Sequence, residues 1–262
     1  MTEPADSLAD WQILIAHGAG STAATARSLL APLLESVVGT GTTWSAIDDR
    51  HGDVDQVAGR IRDWLARTDP SSGYRVVCGI SLGAHAAVLS SRRSEAPLSP
   101  PGAALRAGPQ GYVLALPAWI GNPDAVASAT AKTGQAIDTN GLSRTLAEID
   151  ARTPDDRRWL VDILRRDWSH YREHELSRAL LAAAGSAAPT HDDLASVTAP
   201  TLVIGATEDP LHPISTARSW ACEIRDSILA EIDFPTTPGF VSDRTLGAVR
   251  RFAGRVDSRS HP

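Results

Sequence analysis

Six short apolar runs, at 12–16, 43–47, 75–79, 112–116, 201–205 and 228–232, are separated by longer stretches whose apolar residues recur at helical spacing. Short apolar runs of this length are strand-sized, and strands alternating with helices predict a mostly parallel sheet covered by helices. The helices are expected at 23–38, 54–67, 81–91, 214–224 and 244–252. The second places Val54, Val57, Ile61, Trp64 and Leu65 on one stripe behind an acidic start at Asp53 and Asp55, which suits a helix N-terminus packed on a sheet.

The alternation breaks twice. Residues 93–110 carry Pro97, Pro100, Pro101 and Pro109 among Ser, Gly and Ala, the composition of an irregular surface loop. From 122 to 197 no strand pattern occurs and helical patterns follow one another, including a charged, tryptophan-bearing stretch around 155–181. The expected organisation is a core of 1–121 and 198–262, with 122–197 inserted as a helical cap over the carboxyl ends of the strands. A chain of 262 residues with 42% hydrophobic and 21% charged residues can bury one such core.

A net charge of −6, with Lys132 the only lysine, argues against a nucleic acid, whose phosphates demand clustered cations. The opening MTEPADSLADWQILIAHGAG shows neither a basic leader nor a long apolar run, so no membrane segment and a cytoplasmic location are expected. Cys78 and Cys222 are expected to be buried free thiols.

Two glycine-rich turns carry the chemistry. The stretch YRVVCGISLGAH, residues 74–85, puts Gly79, Ser81 and Gly83 in the pattern G-x-S-x-G between a strand and a helix. So sharp a turn forces the serine into an uncommon backbone conformation, and glycines on either side remove side chains that would clash across it. The following helix N-terminus offers unpaired amides to an oxyanion. The stretch ILIAHGAG, residues 13–20, ends a strand on a second such turn, where the amides of Ala19 and Leu82 would form an oxyanion site. That turn, with Gly18, would expose backbone amides beside the serine, and His17 is expected to brace the loop.

This order of strand, HGAG, strand, helix, strand, GISLG, inserted helices and a late acid resembles the α/β-hydrolase superfamily over nearly the whole chain. The resemblance implies a Ser, acid, His triad with the acid after the strand TLVIG, where the sequence reads ATEDPLHP. Asp209 matches the acid, with Glu208 in reserve. The histidine should follow the last strand, but residues 233–243, DFPTTPGFVSD, contain none, and after His212 the only histidine is His261. A serine hydroxyl without a base is a weak nucleophile.

His212, three residues beyond Asp209, could supply the imidazole or could merely cap the helix beginning near Pro213. His85, one turn after Ser81, reads as a packing group. His170 and His174, four apart on a helix of the insertion, could hold a metal but fit a solvated face, and no Cys and His cluster has zinc spacing. No cofactor is implied. Trp119 follows a strand end, where open α/β sheets bind ligands, and could line an apolar pocket with Trp159 and Trp168 nearby. Two functions remain open: hydrolysis of an ester or acyl bond in a small, mostly apolar molecule, or reuse of the fold for isomerase, epimerase or lyase chemistry or for ligand binding alone.

Overall fold

A computed structural model describes residues 9–92, 108–209, 211–234 and 238–260. Most of the proline-bearing stretch read as a loop, and His261, lie outside the described residues. The strands are β1 (Trp11–Ala16), β2 (Thr43–Ile47), β3 (Tyr74–Ile80), β4 (Gly111–Ala115), β5 (Thr201–Ala206) and β6 (Ser227–Ile232). They form one parallel sheet in the order β2-β1-β3-β4-β5-β6.

Strand periodicity divides the core in two. Trp11, Ile13, Ile15, Val76, Cys78, Val113, Leu202 and Ile204 face one side, where α1 (Ala23–Leu34) and α10 (Asp243–Ser260) bury Leu30, Leu33, Val249 and Phe252. Leu14, Val77, Leu114 and Val203 face the other, under α2 (Val54–Arg67), α3 (Leu82–Leu89) and α9 (Ile214–Glu223). Both faces being covered explains why the strands read as continuous apolar runs.

Helix ends differ from the sequence pattern for identifiable reasons. Helix α1 stops at Leu34, four residues early, because the chain beyond it tightens into a turn in which the Val37 amide donates to the Leu34 carbonyl at 2.9 Å. Helix α10 runs eight residues beyond 252, because Val256 continues the buried stripe begun by Val249 and Phe252. A Cβ on Gly111 would lie 2.7 Å from the Phe252 ring and 2.9 Å from Val256, so β4 begins with a glycine where this helix crosses it. Cys78 is buried as expected, but Cys222 is exposed on α9, where the apolar face is taken by Ala217 and Trp220.

Between β4 and β5 lie α4 (Ala125–Asn140), α5 (Leu142–Arg152), a 3-10 turn (Asp155–Arg157), α6 (Arg158–Trp168), α7 (Glu173–Gly185) and α8 (His191–Ser196). They are tied to the core by buried contacts. A Cβ on Gly52, which has φ +70°, would lie 2.0 Å from the Ala179 carbonyl oxygen, so α7 rests directly on the loop after β2. The Asp167 carboxylate, 1% exposed, accepts from Thr25 Oγ1 at 2.6 Å and Ser21 Oγ at 2.9 Å and pairs with Arg166. His170 sits in the turn before α7 and His174 within it, so they do not share a helix face as their spacing suggested. Among the described residues no helix is long and apolar enough to cross a membrane.

Candidate functional site

Strand order places the site. The chain steps from β1 out to β2 and returns to the opposite side of β1 for β3, after which the strands proceed in one direction. The loops leaving β1 and β3 therefore part at a crevice above the carboxyl ends, the position at which open α/β sheets bind ligands.

Ser81 stands at that point. Its backbone has φ 52° and ψ −115°, and its amide donates to the Ala115 carbonyl at 2.9 Å. The flanking glycines are required on both sides: a Cβ on Gly79 would lie 2.3 Å from the Gly83 oxygen, and one on Gly83 would lie 2.2 Å from the Ala16 oxygen. The N-terminus of α3 is thus pressed against the end of β1, and the position of a Cβ on Gly18 falls 3.3 Å from Ser81 Cβ. The amides of Ala19 and Leu82 donate to no described backbone or side-chain acceptor.

Among the described residues two other non-glycines have positive φ, Leu116 at 52° and Glu208 at 58°. All three follow the carboxyl ends of adjacent strands, β3, β4 and β5. Each such conformation costs on the order of 1 kcal/mol or more, and strain of this kind gathers where a chain positions chemistry.

His17 is 5% exposed and has both ring nitrogens engaged. Nε2 accepts from the Asp49 amide at 2.9 Å, so Nδ1 carries the proton and donates to the Gly18 carbonyl at 2.7 Å. The ring thereby ties the glycine turn to the loop after β2.

Asp209 and His212 share one turn after β5. Asp209 Oδ1 accepts from the amides of Leu211 at 2.8 Å and His212 at 3.1 Å, while Oδ2 lies 2.9 Å from His212 Nδ1. Burial pushes the Asp209 carboxyl upward, but the hydrogen bond and charge of His212 and the two amides outweigh it, and the net shift is downward. The carboxylate is ionised and holds the imidazole by Nδ1, leaving Nε2 without a described partner.

His85 has no exposure. Its Nε2 accepts from the Ala118 amide at 3.2 Å, and the ring lies between Trp119, at 4.9 Å edge to face, and Trp220, at 5.5 Å. Burial, reinforced by the nearby charge of His212, lowers its pKa from 6.5 to about 3. The unfolded chain binds this proton near pH 6.5 and the folded chain only near pH 3. Its neutral ring therefore contributes stability fully above the higher value, and that contribution is lost as pH falls toward the lower one. The urea midpoint of wild type should accordingly fall relative to that of His85→Leu between about pH 7 and about pH 4. A gap independent of pH would contradict the buried neutral ring.

Trp119 is 5% exposed and packs on Ala118, Val126, Ala127 and Ala184, its carbonyl accepting from Trp220 Nε1. Trp168 lies over the glycine turn, its Nε1 3.2 Å from where a Cβ on Gly20 would stand. Trp159 stacks 6.4 Å from Phe234, a residue of the histidine-free segment after β6. Arg157 covers the same ring at 4.5 Å and pairs with Glu208 at 3.1 Å. Trp159 and Glu208 stand out separately in the sequence but this rim cluster does not, since Arg157 and Trp159 lie 49 to 77 positions from Glu208 and Phe234; the positive φ of Glu208 marks it, and that is a property of the folded loop. Among the described residues no group of three His, Cys, Asp or Glu could hold a metal. An open cleft of about 460 Å³ lies elsewhere, between α5 and α6 beside Leu146, Asp150, Arg158 and Arg165, and both arginines are already paired with Asp150.

The sequence matches no model of a known family and no curated protein. Solved structures match it over almost its whole length. MenH from S. aureus superposes with a TM-score of 0.67 at 16% identity, covering 94% of each chain. The enol-lactonase from Burkholderia xenovorans LB400 gives 0.63 at 17% identity over 96% of this chain and 90% of that one. MGS-M2, an alpha/beta hydrolase from a Medee basin deep-sea metagenome library, gives 0.62 at 16% identity over 97% and 92%. With the parallel sheet, the strained serine turn and the helices inserted after β4, these likenesses establish that the chain has the α/β-hydrolase fold.

Proposed function

We propose that this protein is a serine hydrolase of the esterase or thioesterase class, acting on a small and largely apolar substrate without a cofactor. The observation that carries this reading is the 2.9 Å contact between His212 Nδ1 and Asp209 Oδ2 on the turn after β5. A histidine held by Nδ1 on a buried carboxylate presents an unprotonated Nε2, which is the atom a serine hydroxyl needs for activation. In this chain the acid and the base come from one turn, and no imidazole is needed after β6.

In the reaction His212 Nε2 takes the Ser81 proton as Oγ attacks the substrate carbonyl. The amides of Ala19 and Leu82 stabilise the oxyanion, and protonated His212 returns its proton to the leaving group. Water then repeats the sequence on the acyl-enzyme. Support for this pairing comes from the topology, since Ser81 follows β3 and the Asp209–His212 turn follows β5, both at the carboxyl edge of the parallel sheet. A fluorophosphonate probe should add to Ser81 and to no other residue, read as a mass shift on the peptide that contains it. Absence of labelling together with absence of nitrophenyl ester turnover, in a folded sample, would overturn the proposal.

A second reading is favoured by one observation, that the Ser81 hydroxyl donates to no described group. The Asp209–His212 pair could then take a carbon-bound proton while the oxyanion amides hold the enolate, as in a cofactor-free isomerase, epimerase or lyase. Solvent deuterium entering recovered ligand, undiminished in Ser81→Ala, would select it. Thermal stabilisation by a ligand without product would select binding alone.

A further inference from the structure

One ion pair at the rim is built unequally. Arg157, at the start of α6, donates from Nη2 to Glu208 Oε2 at 3.1 Å and from Nη1 to the Glu208 carbonyl at 3.4 Å, and its guanidinium carbon lies 4.5 Å from the centre of the Phe234 ring. The arginine side chain is 24% exposed and that of Glu208 77%. Two of its three contacts, the carbonyl and the ring face, thus hold the guanidinium independently of the carboxylate. The carboxylate is the loose member, and an ion pair so exposed contributes little.

Arg166 is paired in the opposite way. Its partner Asp167 is 1% exposed and also accepts from Ser21 and Thr25, so that carboxylate cannot leave without stranding hydroxyls. Glu208 can turn into water and leave behind a positioned, planar, five-donor cation, the shape that receives a carboxylate through two parallel hydrogen bonds.

The location gives this cation a use. Arg157 bridges Glu208, after β5, and Phe234, after β6, which stand two and three strands from β3, so strand spacing puts the guanidinium roughly 10–15 Å from Ser81. The end of β4 lies between them, where Leu116 is partly exposed while packing on the core, and Phe234 lies against the arginine with Trp159 beside Phe234. A ligand spanning Ser81 and Arg157 therefore meets an apolar middle and a cationic end.

We infer that Arg157 receives a carboxylate carried by the substrate, displacing that of Glu208. The substrate is then an anionic ester or thioester whose carboxylate and scissile carbonyl are separated by an apolar spacer. The ester end rests on the serine-hydrolase reading; the carboxylate end does not.

The test compares 4-nitrophenyl half-esters of linear dicarboxylic acids of about four to ten carbons with the same esters methylated at the far carboxyl, a range chosen to bracket the strand spacing. At one or more chain lengths wild type should favour the anionic ester in kcat/KM by about tenfold, the worth of a single well-made charged contact. R157Q should abolish the preference, R157K should restore part of it, and E208Q, which removes the competing carboxylate, should enlarge it. A mere latch would be weakened by R157Q and E208Q alike. Parallel losses in these two variants, or no anionic preference in wild type at any length, overturn the inference. If wild type turns over none of the esters, the hydrolase reading fails separately, and calorimetry with the corresponding half-amides decides the carboxylate site. Binding lost in R157Q and tightened in E208Q sustains it, and no binding to wild type refutes it.

Discussion

Alanine in place of His212 is expected to lower kcat for a short-chain nitrophenyl ester by about two to four orders of magnitude, the range associated with losing a positioned general base. KM should change far less, because the imidazole acts on a proton and contributes little to holding the substrate. Ser81→Ala should abolish acyl-enzyme formation altogether, and combining it with His212→Ala should cost little more, since members of a unit that act together lose activity non-additively. Asp209→Asn belongs to the same series. The asparagine can still accept from the amides of Leu211 and His212, which Asp209 now does at 2.8 and 3.1 Å, but it can no longer balance an imidazolium. Unchanged turnover in His212→Ala would remove this residue from the mechanism and leave Ser81 without a base among the described residues.

Gly83→Ala is expected to destabilise the fold by more than about 3 kcal/mol, or to prevent folding, which is the severity associated with overpacking against groups that cannot move aside. The added methyl would stand 2.2 Å from the Ala16 oxygen, 2.6 Å from its carbonyl carbon and 2.9 Å from the His17 oxygen, and all three are backbone atoms. Neither wall can yield, because β1 is bonded into the sheet on both sides. Gly185→Ala provides the control. It ends α7 with nothing within 4 Å of the added Cβ and no positive φ, so its urea midpoint should stay near wild type or rise slightly. Equal midpoints for the two variants would mean that α3 does not approach β1 as closely as the structure has it.

Much of this site could be read locally. The strands were legible because residues buried on both faces of a parallel sheet leave continuous apolar runs, as at 75–79 and 201–205. The serine turn was legible because its backbone geometry restricts neighbours two positions away, so Gly79, Ser81 and Gly83 announce it without any knowledge of distant contacts. Helix ends were less so. Where α1 stops and how far α10 continues depend on what each packs against, as with Phe252 and Val256 over Gly111.

The tertiary structure decided the rest. The sequence placed His212 three residues from Asp209, a spacing compatible with helix capping or with a side-chain pair, and only the folded turn brings Nδ1 to the carboxylate. His85, one turn from the serine, owes its loss of basicity to Trp119 and Trp220, which are 34 and 135 positions away. Arg157, Glu208 and Phe234 meet because a helix of the insertion descends on the ends of β5 and β6. Local backbone constraints are written in neighbouring residues, whereas proton affinity, burial and charge pairing depend on groups that only packing makes neighbours.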